Sequence, residues 1–377
     1  MRVLMKMFIF LAVGTCLACS LPGAKAAGGN KPLIQMAILL DTSSSMDGLI
    51  AQAKSQLWKV VNEFITSKKD GLRPEIQVAL YEYGKSSIPS GEGYLRMIAP
   101  LTTDLDKLSE ELFALKTNGG QEYCGQVIQA ATRSLAWSKS NRDLKMIFIA
   151  GNEPFTQGRV DYRKAVAEAI SQGIIVNTIH CGSRQAGING KWKAGAMLAD
   201  GNYMNIDQNR KVVHIAAPQD AEIDKLGGEL NKTYVGYGRR GRKAKKRQAA
   251  QDTNAESAAA GSMTQRSVFK ASPNYSNADW DLVDAQKKGK VKVDEMKAEE
   301  LPAELRKMDG AERGKYLEKQ GKKRAEIQTK IRALNAERRK YVSEKRKQMT
   351  SSGDDTLDAA MIKSVKEQAS KKKFEFE

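Results

Sequence analysis

Apolar positions along this chain gather into three short runs, each stopped by a polar turn. Ile34 and Met36 to Leu40 lead into Asp41-Thr42-Ser43-Ser44-Ser45. Residues 145–150 lead into Gly151-Asn152-Glu153-Pro154, and residues 174–179 lead into His180-Cys181-Gly182. Runs this short and this apolar read as strands buried on both faces. Between them the period changes to that of a helix. Leu57, Val60, Val61, Phe64 and Ile65 mark a helix over 51–67. Further helices are predicted over 104–115, 125–137, 162–172 (stopped by Gly173), 191–199 and 220–234, with mixed strands over 76–83 and 94–100 and a short strand at 203–206.

Strands that alternate with helices predict an α/β fold: a doubly wound, mostly parallel, Rossmann-like sheet covered on both faces. In such sheets ligands sit beyond the carboxyl ends of the strands. Those ends carry Asp41, Ser43 and Ser45, then Asn152 and Glu153, while the Gly-rich loop 117–122 adds Gln121 and Glu122. One carboxylate and two hydroxyls on a tight turn, in D-x-S-x-S spacing, suit a hard cation that prefers oxygen ligands. The plainer alternative is a helix N-cap, where Ser and Asp are also favoured.

The pattern breaks at Arg239. A basic run, residues 239–247, opens a polar stretch to residue 265 that reads as a linker. Residues 266–377 read as a mainly helical region. Ile327, Ile331, Leu334 and Tyr341 form a coiled-coil-like seam in which Arg338 takes one position, as expected of a short antiparallel pair or a partner-binding helix. Of the net charge of +18, +13 falls beyond residue 238, where 35 basic residues face 22 acidic ones. The region after 239 is therefore expected to be a separate, more mobile unit, with an anionic envelope surface as a partner for its basic tail.

Residues 1–26, with Arg2 and Lys6 before an apolar stretch and Ala24-Lys25-Ala26 at its end, read as a secretory signal peptide. This predicts export to the periplasm or cell envelope, with lipidation at Cys19 the lesser alternative. No other stretch is long and apolar enough to be a transmembrane segment. Two cysteines remain, Cys124 and Cys181, both expected at the ligand edge and so predicted to form a disulfide. His180 and His214 lack ligand-like neighbours, which argues against zinc and a Ser-His-Asp triad. Ser43 or Ser45 as a nucleophile lacks a G-x-S-x-G elbow. Nucleic acid is excluded by export and by aromatics that do not interleave with the basic residues.

With its D-x-S-x-S strand end, Gly119-Gly120 before a helix, and the strand and turn over 147–153, the stretch 27–238 resembles a von Willebrand factor type A (VWA) domain. That resemblance implies a metal-ion-dependent adhesion site holding Mg²⁺ or Mn²⁺ and binding an acidic partner group. Asp41, Ser43 and Ser45 match the family pattern; Gln121-Glu122 stand where it has Thr, and Asn152 where it has Asp. The stretch Tyr275-Ser276-Asn277-Ala278-Asp279-Trp280 looks similar to the tail of exported bacterial proteins of this type, a likeness that carries no function. The reading is a non-catalytic cell-envelope binding module whose metal grips the exposed carboxylate of a protein. The alternatives are a scaffold of the same fold with a degenerate metal site and, last, a serine hydrolase.

Overall fold

A computed structural model describes residues 31–210, 214–348 and 356–376. The first half alternates as the apolar pattern predicts: β1 (Leu33–Asp41), α1 (Asp47–Ile65), β2 (Ser67–Lys68), β3 (Glu75–Tyr83), β4 (Leu95–Thr102), α2 (Leu105–Ala114), α3 (Cys124–Ser134), β5 (Leu144–Gly151), α4 (Tyr162–Ser171), β6 (Ile175–Cys181), α5 (Arg184–Asn189), α6 (Trp192–Met197), β7 (Tyr203–Ile206) and α7 (Asp220–Asn231). Five more helices follow: α8 (Gly238–Ala258), α9 (Ser262–Lys270), α10 (Leu282–Lys287), α11 (Gly310–Gln348) and α12 (Leu357–Lys371), and then β8 (Glu375–Phe376).

Six strands form one sheet in the order β4-β3-β1-β5-β6-β7, parallel except for β4, which runs antiparallel on β3. Register fixes which side chain faces which layer, because successive residues of a strand point to opposite faces. On β1, Ile34, Met36 and Leu40 join one core with α1, α2, α7, α9 and α12; Ala37 and Leu39 join the other, with α3 and α4. The second face is thus also the one onto which Asp41 projects.

The segment expected to be a linker is α8 and the start of α9. Its inward stripe is Gly241, Gln248, Gln251 and Ala255, at helical spacing but nearly without apolar side chains. The two amides find buried partners instead: Gln248 donates to the Tyr275 hydroxyl at 3.0 Å, and Gln251 accepts from Ser109 at 2.8 Å. Burying hydrogen-bonded amides in place of hydrocarbon erases the hydrophobic period, which is why this stretch reads as linker.

The region after 239 is not a separate unit. The described residues from Lys31 onward form one compact body, and α9 and α12 lie directly on α1. Arg266 on α9 is fully buried between Asp106 of α2 (2.7 Å) and Asp252 of α8, over the Trp58 ring. Lys270 bonds Asp252 at 2.6 Å. On α12, Gln368 and Asn177 of β6 exchange two hydrogen bonds in the dry interior, at 2.6 and 3.0 Å, and β8 pairs with β2.

The seam of α11 also turns inward. Ile327 and Ile331 enter the main core, and Arg338 is buried against Asp220 of α7 at 2.6 Å, so the helix packs on the body and not in a coiled coil. Among the described residues no helix is long and apolar enough to cross a membrane. The expected signal peptide, residues 1–26, lies outside the described residues.

Candidate functional site

β1 ends in Asp41 on the α3/α4 face, and the chain then turns sharply before α1. Asp41 makes the turn itself: its Oδ1 accepts from the Ser43 N–H at 2.7 Å. The Ser43 hydroxyl caps no helix, so the N-cap alternative does not hold; it lies 3.2 Å from the Ser45 hydroxyl. The Asn152 amide, from the turn after β5, reaches Ser45 Oγ at 3.2 Å. Two strand-end segments thus meet.

The Gly-rich loop brings the fifth group. Glu122, not Gln121, turns inward: Glu122 is buried, whereas Gln121 is exposed. The Glu122 carboxylate accepts from the backbone N–H of Glu153 at 3.2 Å, and its own N–H donates to Gln157 at 2.6 Å. Glu153 contributes that N–H, while its side chain is exposed. Gln121 and Glu153 therefore offer no inward side-chain oxygen, and the assembled set is Asp41, Ser43, Ser45, Glu122 and Asn152.

Glycines permit this approach. Gly84, after β3, has φ +78°, and a Cβ there would lie 2.6 Å from Asp41 Oδ1 and 2.8 Å from Glu122 Cγ. At Gly151 a Cβ would strike the Tyr83 hydroxyl and crowd Asp41. Tyr83, which the sequence reading passed over, is the floor of the site. It is fully buried, and its hydroxyl donates to the Ala150 carbonyl at 3.0 Å. Its one signal in the sequence is a tyrosine that ends a strand immediately before a glycine.

Outer contacts brace the turns. His180 sets Nε2 3.3 Å from the Asn152 carbonyl, and Trp192 donates to the Glu153 carbonyl at 2.8 Å. Gln208 donates to the Ser45 carbonyl at 2.8 Å. Thr117 turns away to donate to Asp47.

Two carboxyls are therefore buried side by side. Burial, then Glu122 beside it, holds the Asp41 carboxyl well above the usual carboxylate range, and burial raises Glu122 as well. Neither has a Lys or Arg partner among the described residues, and Asp41 Oδ2 and Asn152 Oδ1 are buried without any hydrogen bond. Among the described residues no three His, Cys, Asp or Glu side chains cluster, so the donors are two carboxylates, two hydroxyls and an amide. An all-oxygen set with orphaned acceptors fits a hard divalent cation, and burial of two like charges is what such an ion would relieve.

The cysteines do not pair. Cys124 lies in the core on the α3/α4 face and Cys181 in the core on the other side of the sheet, and both are free thiols. Along β6, His180 faces the Asp41 side and Cys181 the opposite one, so the sheet separates the two thiols.

Residues 35–191, less than half of the chain, match the profile of the von Willebrand factor type A domain. No curated protein matches the chain. Among solved structures, BatB from Bacteroides thetaiotaomicron is 17% identical with a TM-score of 0.35, over 46% of this chain and 90% of that one. The VWA domain of SpRpn10 is also 17% identical, TM-score 0.34, over 46% and 88%. Proximal thread matrix protein 1 from the mussel byssus, with a zinc-occupied MIDAS motif, is 12% identical, TM-score 0.35; this chain spans 46% of its own length and 42% of that protein's. With its profile match, parallel sheet and D-x-S-x-S strand end, the stretch over residues 35–191 of this chain is a von Willebrand factor type A domain.

Proposed function

We propose that this chain is a non-catalytic binding module of the cell envelope whose strand-end site holds Mg²⁺ or Mn²⁺ and, through that ion, an exposed carboxylate of a protein partner. The observation that carries the reading is the buried Asp41–Glu122 pair, which has an orphaned oxygen and no Lys or Arg partner among the described residues. Asp41, Ser43, Ser45 and Glu122 would hold the ion, with Asn152 beside them; the ion supplies a positive centre that an incoming carboxylate can meet. A binding role also suits the histidine: His180 spends Nε2 on a backbone carbonyl and holds no serine hydroxyl as a base would.

A thermal-melt titration tests this. Metal at about 100 times its dissociation constant should stabilise the fold by about 2.7 kcal/mol through mass action. Asp41→Ala should abolish the response while the sheet stays folded. A wild-type melt that ignores both ions at millimolar concentration would sink the proposal. The second reading, a scaffold with a degenerate site, is favoured by Asn152: it carries no charge and turns its Nδ2 to Ser45, leaving Oδ1 unused. That reading predicts no metal response and a partner that binds equally well in EDTA.

A further inference from the structure

On the far side of the body from the metal-site loops' own core, the C-terminal half of α11 runs past the end of α1 and the end of α9, and a groove of about 670 Å³ lies between them. One face of α11 lines it from Arg332 to Lys347 at three- and four-residue spacing. At 1.5 Å per residue this is a trough about 22 Å long. Cations recur along it: Arg332, then Arg339 with Lys340, then Lys347, a step of about two helical turns each time, with Arg73 on the opposite wall. Lys340 and Lys347 make no ion pair among the described residues, and Glu344 is the one acidic side chain among the lining residues described. Between the charges the lining is apolar or hydroxylic, with Ile65, Val268 and Pro273 beside Thr66 and Ser343.

We propose that this groove binds an extended acidic polysaccharide. Charges spaced along a trough ask for a ligand whose negative groups also repeat along a chain, not for one compact anion. Apolar patches between the cations suit the C–H faces of sugar rings, and the flanking hydroxyls suit their oxygens. No aromatic side chain is among the lining residues, so the stacking that bases require is missing. A concave trough also does not lie flat on a bilayer. This site is separate from the metal site and does not depend on it.

The test uses the full chain and a labelled oligogalacturonate long enough to span the groove, read by fluorescence anisotropy at physiological salt. The expected result is saturable binding, unchanged by EDTA and weakened at least about tenfold in K340E/K347E. K243E/K246E on α8, which changes net charge equally, should bind like the wild type. Both lysines of the groove are exposed, so these variants should melt like the wild type; Lys347→Glu alone, with a smaller loss, serves if the double variant does not. The proposal is overturned if no saturable binding appears, if both double variants lose equally, or if EDTA abolishes binding. It is overturned equally if polyphosphate, single-stranded DNA or phosphatidylglycerol vesicles outcompete the oligogalacturonate.

Discussion

Asp41 is held in a position that costs the metal-free chain stability. Burial and the neighbouring Glu122 raise its carboxyl, so the native state binds the proton more tightly than the unfolded state does. The sign follows from linkage: stability held in acid is lost as pH rises through the native value. Metal-free protein should therefore melt at a lower temperature at neutral pH than in mild acid as far as this group is concerned. Asp41→Asn removes the buried charge while keeping the shape. It should raise metal-free stability at neutral pH by about 0.5–2 kcal/mol and flatten that pH dependence, while destroying the metal response. A denaturant melt at two pH values, with and without Mg²⁺, reads all three; an Asn variant less stable than the parent at neutral pH would contradict the account. Asn152→Asp runs the other way. It adds a third carboxylate, so metal affinity should rise while metal-free stability falls, both visible in the same titration.

At this scale the sequence is informative where chemistry and chain geometry coincide. Asp41, Ser43 and Ser45 stand at the end of a buried run, and that placement alone brings them to the sheet edge. The choice between Gln121 and Glu122 lies in a loop with no period, so nothing in the sequence says which side chain turns in. For Cys124 and Cys181 the alternation along β6 is legible, but which parity faces which layer is set by pairing with β5, a long-range fact.

The C-terminal helices are held to the sheet layer by charge as much as by hydrocarbon. Arg266 and Lys270 of α9 are fully buried, and two carboxylates, Asp106 and Asp252, answer them. Burial pulls Asp252 upward, but Lys270 and then Arg266 outweigh it and hold it below the usual range. Its contribution is present above the unfolded carboxylate value and is lost as pH falls through the native one. Asp252→Ala leaves two buried cations facing one carboxylate and should cost about 3–5 kcal/mol, measured by urea unfolding near neutral pH. The mutant should also lose part of the wild type's acid limb. A loss under about 1 kcal/mol would mean that water reaches the cluster. Such elements are hard to read in advance because their inward stripes are polar. Gln248, Gln251, Arg266 and Arg338 are all buried, and each falls where a hydrophobic period would place an aliphatic side chain. Strands β1 and β5, by contrast, are mostly apolar and announce themselves.

For the whole molecule the question is where the folding unit ends. The VWA profile stops at residue 191, and the charge shift at 239 suggests a boundary there, yet the core extends to the last turns of the chain. Helix α1 shows why. Its Leu57, Trp58, Val61 and Phe64 are all buried, and the residues that join them in one core include Phe269 of α9 and Met361 and Val365 of α12. Trp58 stacks on Phe269 with ring centres 5.1 Å apart. Gln52 of α1 accepts from the Leu357 N–H at 2.9 Å, and Lys59 pairs with Asp358 at 2.5 Å. A chain ending at residue 238 would uncover part of this shared core; each large side chain uncovered costs about 1.5–3 kcal/mol, against a total stability of only about 5–15 kcal/mol. Such a chain should fail to fold or should aggregate. Limited trypsin digestion of the intact protein should accordingly leave no stable core ending near residue 240, despite the arginines and lysines exposed on α8. A nick there should leave the two fragments associated under native conditions, because α9 and α12 remain seated on α1. Gel filtration of the nicked protein followed by denaturing electrophoresis reads the outcome directly. Two fragments that co-elute support a single folding unit, whereas a free, folded fragment of residues 31–240 would show that the C-terminal helices are an appendage after all.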